Sequence, residues 1–495
     1  MNIKCYIDRF DLRFPKGFNE RQKRLDFFEK VLTGSIYDNM LPFYGEYTSE
    51  FESGKYIPLA RRSPCVKYKL AKIIVNEIAA MLFGESHFPQ LRIGDNKDSD
   101  TLKLMQKISR ESNLRLVMIN AAKCGSVGSV AVVVKYLDGK FAFEIIKTKY
   151  LTPKFDVFDN SVLTNLVEKK YIKGKDLIVL GYIVDKDQLN IDFCLTREWN
   201  TYAEIYYVPY TADEKDSYGF TPKIDNERTV YHNLGFVPVQ WIKNPHSDDE
   251  DDIDGNCIFS DVIDIGIEID YQLSQHGRLL KYNSDPTLVI KDPTRLENQE
   301  LVKGIGALMV GQDGDAKYLQ LESSATQAVL SYIEKLRQFA IEVVRGDRSN
   351  PDKLLSGHSG KALQMLNKPM ISLVDEMRIS YGEIGLLSIY RMIYRILTHE
   401  GIDSSSISYE IEKDCDGDFV LDWPQFYPSN EQDKLATANT LKTLVDSGNL
   451  SHKSAINILS GDYNITDVEK EIGEISKDQM SLQEKSPQIK ETINA

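Results

Sequence analysis

Little in the 495-residue chain is typical of a metalloprotein, a membrane protein or a secreted protein. The six cysteines include no CxxC pair, so the sequence predicts neither a zinc site nor a disulfide framework. No apolar run reaches about 18 residues, and the N-terminus lacks the apolar segment of a secretory signal. We therefore expect no membrane-spanning segment.

The chain is also short of positive charge. Its formal net charge is -14, whereas tight non-specific binding to nucleic acid requires clustered Lys and Arg side chains. An acidic protein can still let DNA pass close by without holding it. The charge therefore argues against a stable nucleic-acid complex and leaves transient contact open.

Catalytic and cofactor-binding signatures are missing as well. The seven histidines show neither HExxH nor the spacing of metal ligands, and no GxSxG motif occurs. Residues 357–362 superficially resemble a phosphate-binding loop, but Leu355 stands at its first glycine position and Ala362 at its Ser/Thr position. We expect no catalytic residue, no metal site and no cofactor.

What is present is a chain of ordinary globular composition, with 42% hydrophobic and 27% charged residues, long enough for several structural units. Helical periodicity predicts three helices near its start. The first follows Asn19, which can cap it, and the second has Pro64 in its first turn and ends at Gly84. The third extends from residue 100 to about residue 123.

The pattern then changes from helix to strand. Asp138 and Gly139 separate two β-rich runs, which predicts a hairpin, and further strands follow to about Ile242. Residues 246–254 form an acidic run, which is more typical of a solvated loop than of a cation site. The first half of the chain is therefore predicted to be α+β.

In the second half, two helices bracket a short β-rich insert. One helix covers residues 259–283 and the other begins at Ser324, while the insert at 284–322 predicts three strands. Each helix carries apolar residues that alternate by three and four, as in helices that pack against partners. The stripe residues are Val262, Ile265, Ile269 and Leu273 on the first helix and Val329, Ile333 and Leu336 on the second.

A loop at 346–358 leads into a helical pattern from residue 359 to about 399, which would span roughly 60 Å. Pro369 should kink this helix, and Gly382 and Gly385 should weaken it. A short strand, DFVLDWPQF, follows an acidic linker. Three short helices come next, with Gly448 and Gly461 as stops of the first two, and a polar tail ends the chain.

Several segments carry a resemblance to a known family. They are RRSPCVKYKLAKIIVNEIAAMLFGE, GSVGSVAVVVKYLDGKFAFEIIKTKYLTP, LLSGHSGKALQML and PSNEQDKLATANTLKTLVDSGNLSHKSAINIL. In these segments, and in the order of its elements, the chain resembles the phage portal family. The resemblance implies a portal fold with an α+β wing (1–255), stem helix 1 (256–283), a clip (284–322), stem helix 2 (323–345), a tunnel loop (346–358), a kinked spine helix returning to the wing (359–422), a helical crown (423–477) and a polar C-terminal tail (478–495).

The same resemblance implies a non-enzymatic ring, expected to be a dodecamer, at one capsid vertex. Double-stranded DNA would pass through this ring during packaging by the terminase, retention and ejection, and the ring would join head to tail. The implied partners are the terminase large subunit, the major capsid protein and scaffold, and a head-completion or adaptor protein. The protein would reside in the virion, and in the host cytoplasm during assembly. Alternatives are another head–tail connector or capsid-associated ring protein, or a soluble enzyme without a recognisable signature.

Three sets of residues follow as site hypotheses. The tunnel-loop set either lies near passing DNA or only contacts the next subunit, and consists of Arg348, Lys353, Leu354, Leu355, His358 and Lys361. The clip set offers docking charges for the terminase or a connector, and consists of Lys291, Arg295, Glu300, Lys303 and Lys317. The stripe residues of the two stem helices form the third set, as candidates for the subunit interface.

Overall fold

The computed structural model describes residues 3–15, 17–43, 57–94, 99–211, 220–245, 253–284, 287–291, 315–319, 324–344, 368–399, 418–426, 431–463 and 468–477. The fold is mixed α+β, as the sequence predicts. The chain divides into two compact units. The larger consists of Met1–Gly346 with Ser372–Pro424, and the smaller of Asp347–Ile371 with Gln425–Ala495.

Five helices supply most of the N-terminal part: α1 (Lys4–Phe10), α2 (Glu20–Thr33), α3 (Leu70–Phe83), α4 (Asp100–Glu111) and α5 (Leu114–Gly125). The predicted cap of α2 is confirmed, because the Asn19 side chain accepts a hydrogen bond from the Gln22 amide at 2.8 Å.

Two of the predicted helix boundaries in this part are wrong. Pro64 precedes α3 instead of lying in its first turn, because the backbone amides of Val66 and Tyr68 bond to side chains of a later helix. The single helix predicted from residue 100 is broken into α4 and α5 at Asn113, whose φ of 52° is left-handed.

Two antiparallel sheets follow. The predicted hairpin is confirmed as β2 (Ser129–Leu137) and β3 (Lys140–Lys147), joined by a turn in which Asp138 and Gly139 both have positive φ. β10 (Val239–Lys243) pairs with the other edge of β2. The second sheet contains β4 (Leu151–Phe155), β5 (Leu163–Lys173), β6 (Asp192–Trp199), β7 (Ala203–Tyr206), β8 (Tyr210–Thr211) and β9 (Val230–Tyr231), with α6 (Gly174–Val179) after β5.

Inward-facing residues of both sheets form one hydrophobic core. Its buried members are Ala131, Val133, Ile146, Leu151, Leu166, Trp199, Val237, Val239 and Trp241. Burial of each large apolar side chain contributes about 1.5–3 kcal/mol. The two sheets therefore form a single body.

The helix, β-insert, helix order is confirmed. A 3₁₀ turn, Ser260–Val262, leads into α7 (Ile263–Ser284), and β11 (Thr287–Lys291) pairs antiparallel with β12 (Asp315–Leu319) before α8 (Ser324–Val343). α7 and α8 pack against each other. The third strand predicted in the insert falls outside the described residues.

Three consecutive helical segments occupy residues 368–398: α9 (Lys368–Met377), a π-helix (Arg378–Leu386) and α10 (Leu387–Thr398). Gly382 and Gly385 lie in the π-helix, where the sequence predicts a weak point. A Cβ on Gly382 would overlap the Trp423 ring, so glycine is required for this close contact. β13 (Phe419–Asp422) confirms the predicted short strand and pairs with β1 (Gln90–Ile93).

The smaller unit is helical where it is described. It contains α11 (Glu431–Asp446), α12 (His452–Tyr463) and a helix at 468–477. Gly448, with φ of 73°, confirms the predicted stop of α11, and the Ser451 hydroxyl accepts the Ser454 amide at 3.1 Å. The predicted stop at Gly461 is wrong, because α12 continues to Tyr463.

Candidate assembly interface and its anchoring

A buried carboxylate fixes the point at which the chain leaves the sheets for α7. The Arg21 guanidinium donates two hydrogen bonds to Asp254, at 2.6 and 2.8 Å, and the Ser129 hydroxyl donates a third. The Asp254 side chain is only 1% exposed. Bidentate Arg–carboxylate pairs of this kind combine strength with fixed geometry. The solvated-loop prediction for the acidic run is therefore wrong at Asp254, its last residue, while residues 246–252 lie outside the described ranges.

The backbone is equally restricted at this point, which we call the joint (residues 128, 244 and 253–257). The amides of Asn244 and Gly255 both donate to the Gly128 carbonyl, at 2.8 and 3.1 Å. A Cβ on Gly255 would overlap the Asn244 backbone, and Gly128 has φ of 149°, which an L side chain rarely adopts. Three backbone segments thus meet here with no room for a Cβ at position 128 or 255.

The first half of α7 is anchored by polar contacts beyond the joint. The Tyr6 hydroxyl donates to Asp264 at 2.8 Å, and the Tyr37 hydroxyl donates to Asp270 at 2.8 Å. Asp270 also accepts the Tyr68 amide at 2.6 Å, and burial raises the pKa of this carboxyl above its ordinary value. The Tyr37–Asp270 bond is buried and the other two are part-buried, and all three hold the base of the helix from within one chain.

The stripe residues do not all face outward. Val262, Ile269 and Ile333 are buried within the chain itself, so no surface of theirs is available to a second copy. Ile265, Leu273, Val329 and Leu336 are half-buried. The heptad-like stripe therefore coincides largely with the face along which α7, α8 and the N-terminal helices pack together.

The exposed apolar surface of α8 lies beside this stripe. At 100° per residue, Tyr332, Phe339 and Val343 fall on one side of the buried Ile333 and Ala340, and Leu330 and Ile341 fall on the other. All five are exposed. The single apolar stripe predicted from the sequence does not indicate this surface, whose signal is an apolar residue on each side of that stripe. A helix that is apolar on both flanks is suited to a neighbour on each side.

The family model described as "Phage portal protein, SPP1 Gp6-like" matches residues 56–485, which is most of the chain. The chain belongs to the phage portal protein family. Portal proteins are structural components of the virion and not enzymes, and membership implies an oligomeric ring that forms a DNA channel. A search of curated proteins found no match.

The clip and tunnel-loop residues are described only in part. Within the portal chain, Lys291 pairs with Asp315 and Lys317 with Val289 in the register of β11 and β12. Arg295, Glu300 and Lys303 lie outside the described residues. So do all six tunnel-loop residues: Arg348, Lys353, Leu354, Leu355, His358 and Lys361.

The π-helix of the portal protein contacts the joint directly. The Tyr381 hydroxyl donates to the Asn244 side chain at 2.8 Å, and the Ser380 hydroxyl donates to the Lys243 carbonyl. Asn244 in turn donates from its side-chain amide to the Asn256 carbonyl at 2.8 Å. Since complete burial raises the pKa of Tyr381, its hydroxyl stays protonated as a donor. One side chain, Asn244, therefore links the π-helix to the segment that precedes α7.

A charge network joins the two sheets. Arg197 on β6 donates to Glu168 at 2.6 Å and to both oxygens of Glu144 on β3, at 2.8 and 3.2 Å, and Lys135 lies 2.8 Å from Glu144. Burial alone would raise the pKa of Glu144, but the two cations outweigh burial and lower this pKa to about 2. The network therefore resists relative sliding of the sheets at neutral pH.

Across the described ranges, no group of three or more His, Cys, Asp or Glu side chains is arranged to hold a metal ion. No helix of the described part combines the length and apolar character needed to cross a membrane.

Proposed function

We propose that copies of this chain close into a twelve-membered ring at one capsid vertex, with the α7/α8 pairs around a channel for double-stranded DNA. The observation that carries this proposal is the apolar character of both flanks of α8. In a closed ring, every subunit contacts two neighbours through two different surfaces. One flank of each α8 would meet the other flank, or α7, of the next copy.

The remaining elements take portal roles under the same proposal. The two sheets with α1–α6 form the wing, β11 and β12 form the base of the clip, residues 346–358 form the tunnel loop, and α9, the π-helix and α10 form the spine. α11, α12 and the helix at 468–477 form the crown. The clip would bind the terminase large subunit and later a head-completion protein, and the wing would contact the major capsid protein and scaffold.

Ring formation is tested by replacing one exposed apolar residue of α8. Phe339→Glu places a charge on a flank that is solvated in the free subunit and buried in the ring, so the subunit should fold while ring assembly fails. Gln338→Glu, on the exposed face opposite the buried stripe, is the matched control and should leave assembly unchanged. Negative-stain imaging and light scattering are the measurements. Normal rings from Phe339→Glu would overturn this interface.

The DNA-contact proposal needs a separate test. Each phosphate contact in the tunnel loop would be repeated around the ring, so weak contact is required if DNA is to move. Deleting residues 350–356 should permit ring assembly but reduce DNA packaging or retention. Unchanged packaging would remove the tunnel-loop proposal. Charge reversal at Lys291 or Lys317 should weaken terminase binding if these residues are docking charges. Unchanged binding would remove the clip proposal.

A further inference from the structure

Among the side chains that the structure describes, the four most exposed large apolar ones lie at the two ends of one strand. Val157 (90% exposed) and Phe158 (99%) precede β5, and Val179 (86%) and Ile183 (102%) follow it. No other large apolar side chain of the described residues exceeds 66%. The 11 residues of β5 span about 36 Å, so these two groups do not meet within one chain.

The first group is held on a rigid turn, which we call the Phe158 tip (residues 156–162). The Asp156 carboxylate accepts the Phe158 amide at 2.8 Å, and the Asp159 carboxylate accepts the amide and hydroxyl of Ser161 at 2.8 and 2.6 Å. The Asp156 amide donates a hydrogen bond to the Val162 carbonyl at 2.9 Å, which joins the two ends of the turn. A preorganised turn loses little conformational entropy when its side chains become buried in a contact.

The second group forms an aliphatic surface, the α6 patch, made of Ile178, Val179, Leu180 and Ile183. Its loop is also fixed. The Arg228 guanidinium donates to the carbonyls of Leu180 and Gly181, at 3.0 and 2.8 Å, and lies 3.9 Å from the Tyr182 ring centre. The α6 patch is therefore a stable apolar surface that an aromatic side chain can cover.

We propose that the Phe158 tip of one subunit packs against the α6 patch of the next subunit around the ring. The inference rests on the proposed ring, because a ring contact joins two different surfaces of identical chains. The two ends of β5 are two such surfaces. Because they lie at opposite ends of the strand, one would contact the neighbour on one side and the other would contact the neighbour on the other side.

The small size of the contact favours a neighbouring copy over a separate protein. A Phe side chain buries about 150–250 Å², whereas a stable complex between two free proteins buries about 800 Å² on each partner. Within a ring already held together by α7 and α8, the neighbour is present at an effective concentration of about millimolar, so a small contact suffices. The Phe158 tip is therefore expected to strengthen a ring, and not to form dimers by itself.

Thiol cross-linking tests this arrangement. In a background with Cys5→Ser and Cys65→Ser, which removes two exposed thiols, Phe158→Cys is combined with Val179→Cys and treated with a short bismaleimide. The double variant should give a ladder of covalent oligomers on a denaturing gel. Either single variant should give none, because the contact joins two different positions. Lys140→Cys with Val179→Cys, another exposed pair, is the matched control and should also give none.

The possible outcomes separate this inference from the proposed function. Rings without a ladder would overturn the tip contact and leave the ring intact, whereas the absence of rings would overturn both. A cross-link to the major capsid protein in assembled heads, without a ladder, would show that the Phe158 tip contacts that protein instead, and would also overturn the proposal. As a second measurement, Phe158→Ala should raise the apparent dissociation constant of the ring roughly tenfold or more while the melting of the free subunit is unchanged.

Discussion

The ion pair at the joint gives the sharpest test of how α7 is anchored. Arg21→Met keeps most of the side-chain volume but leaves the Asp254 carboxylate buried without its bidentate partner. Breaking a buried pair in this way costs about 3–5 kcal/mol. The Ser129 hydroxyl remains, and Arg24 lies 3.8 Å from the carboxylate, so we expect the lower end, about 3 kcal/mol.

The assay is urea unfolding of the dissociated subunit, followed by tryptophan fluorescence. The Arg21 guanidinium lies 5.8 Å from the Trp241 ring, so this tryptophan reports on the joint itself. Arg13→Met removes an exposed ion pair with Asp11 and is the control, with an expected change within about 0.5 kcal/mol. If Arg21→Met were as mild as that control, the joint would not depend on the Arg21–Asp254 pair and the anchoring argument would fail.

Three further predictions concern the rest of the larger unit. Gly382→Ala should destabilise this unit by about 1–3 kcal/mol, because the added methyl group would overlap the Trp423 ring. Gly277→Ala has open space around its Cβ and should stabilise α7 by up to about 1 kcal/mol. Thermal melts compare the two variants, and equal effects would contradict the packing argument. The folded-state pKa of Glu144, about 2, lies below its ordinary 4.5, so its stabilisation is present above pH 4.5 and is lost as pH falls towards 2. After discounting for partial exposure, we expect Glu144→Gln to reduce this acid-dependent loss by about 1–2 kcal/mol, and an unchanged acid unfolding curve would contradict the assignment. In hydrogen exchange, the α7 amides at 263–274 should exchange more slowly than those at 277–284. The reverse order would contradict the inference that the first half of α7 is held rigidly.

The order of the elements could be predicted because local chemistry determines it. The turn at Asp138 and Gly139 needs two positive φ values, and Asn and Asp residues cap helices through their own side chains, so a short window of sequence suffices. The same holds for the two helices around the β11/β12 insert, whose apolar spacing is helical throughout. These features depend on neighbours within a few residues.

The features that could not be predicted depend on residues far apart in the chain. α3 begins at Leu70 because the amides of Val66 and Tyr68 bond to α7, about 200 residues later. Asp254 resembles the other acids of its run, and only its contact with Arg21, 233 residues away, makes it a buried anchor. A stripe of apolar residues likewise does not show which part is buried within one chain and which part faces a second copy.

Anchoring and exposure have complementary roles in the α7/α8 pair. The base of α7 is held by hydrogen bonds within one chain, and α8 packs against α7, so each copy presents α8 in the same orientation. The apolar flanks of α8 remain partly exposed within that copy, and burying the rest of their surface requires a neighbour. Because a closed ring has no ends, every flank in it can be covered, whereas any open arc leaves two flanks in water. If α8 forms the proposed interface, a rigid base with two apolar flanks favours closed rings over open oligomers.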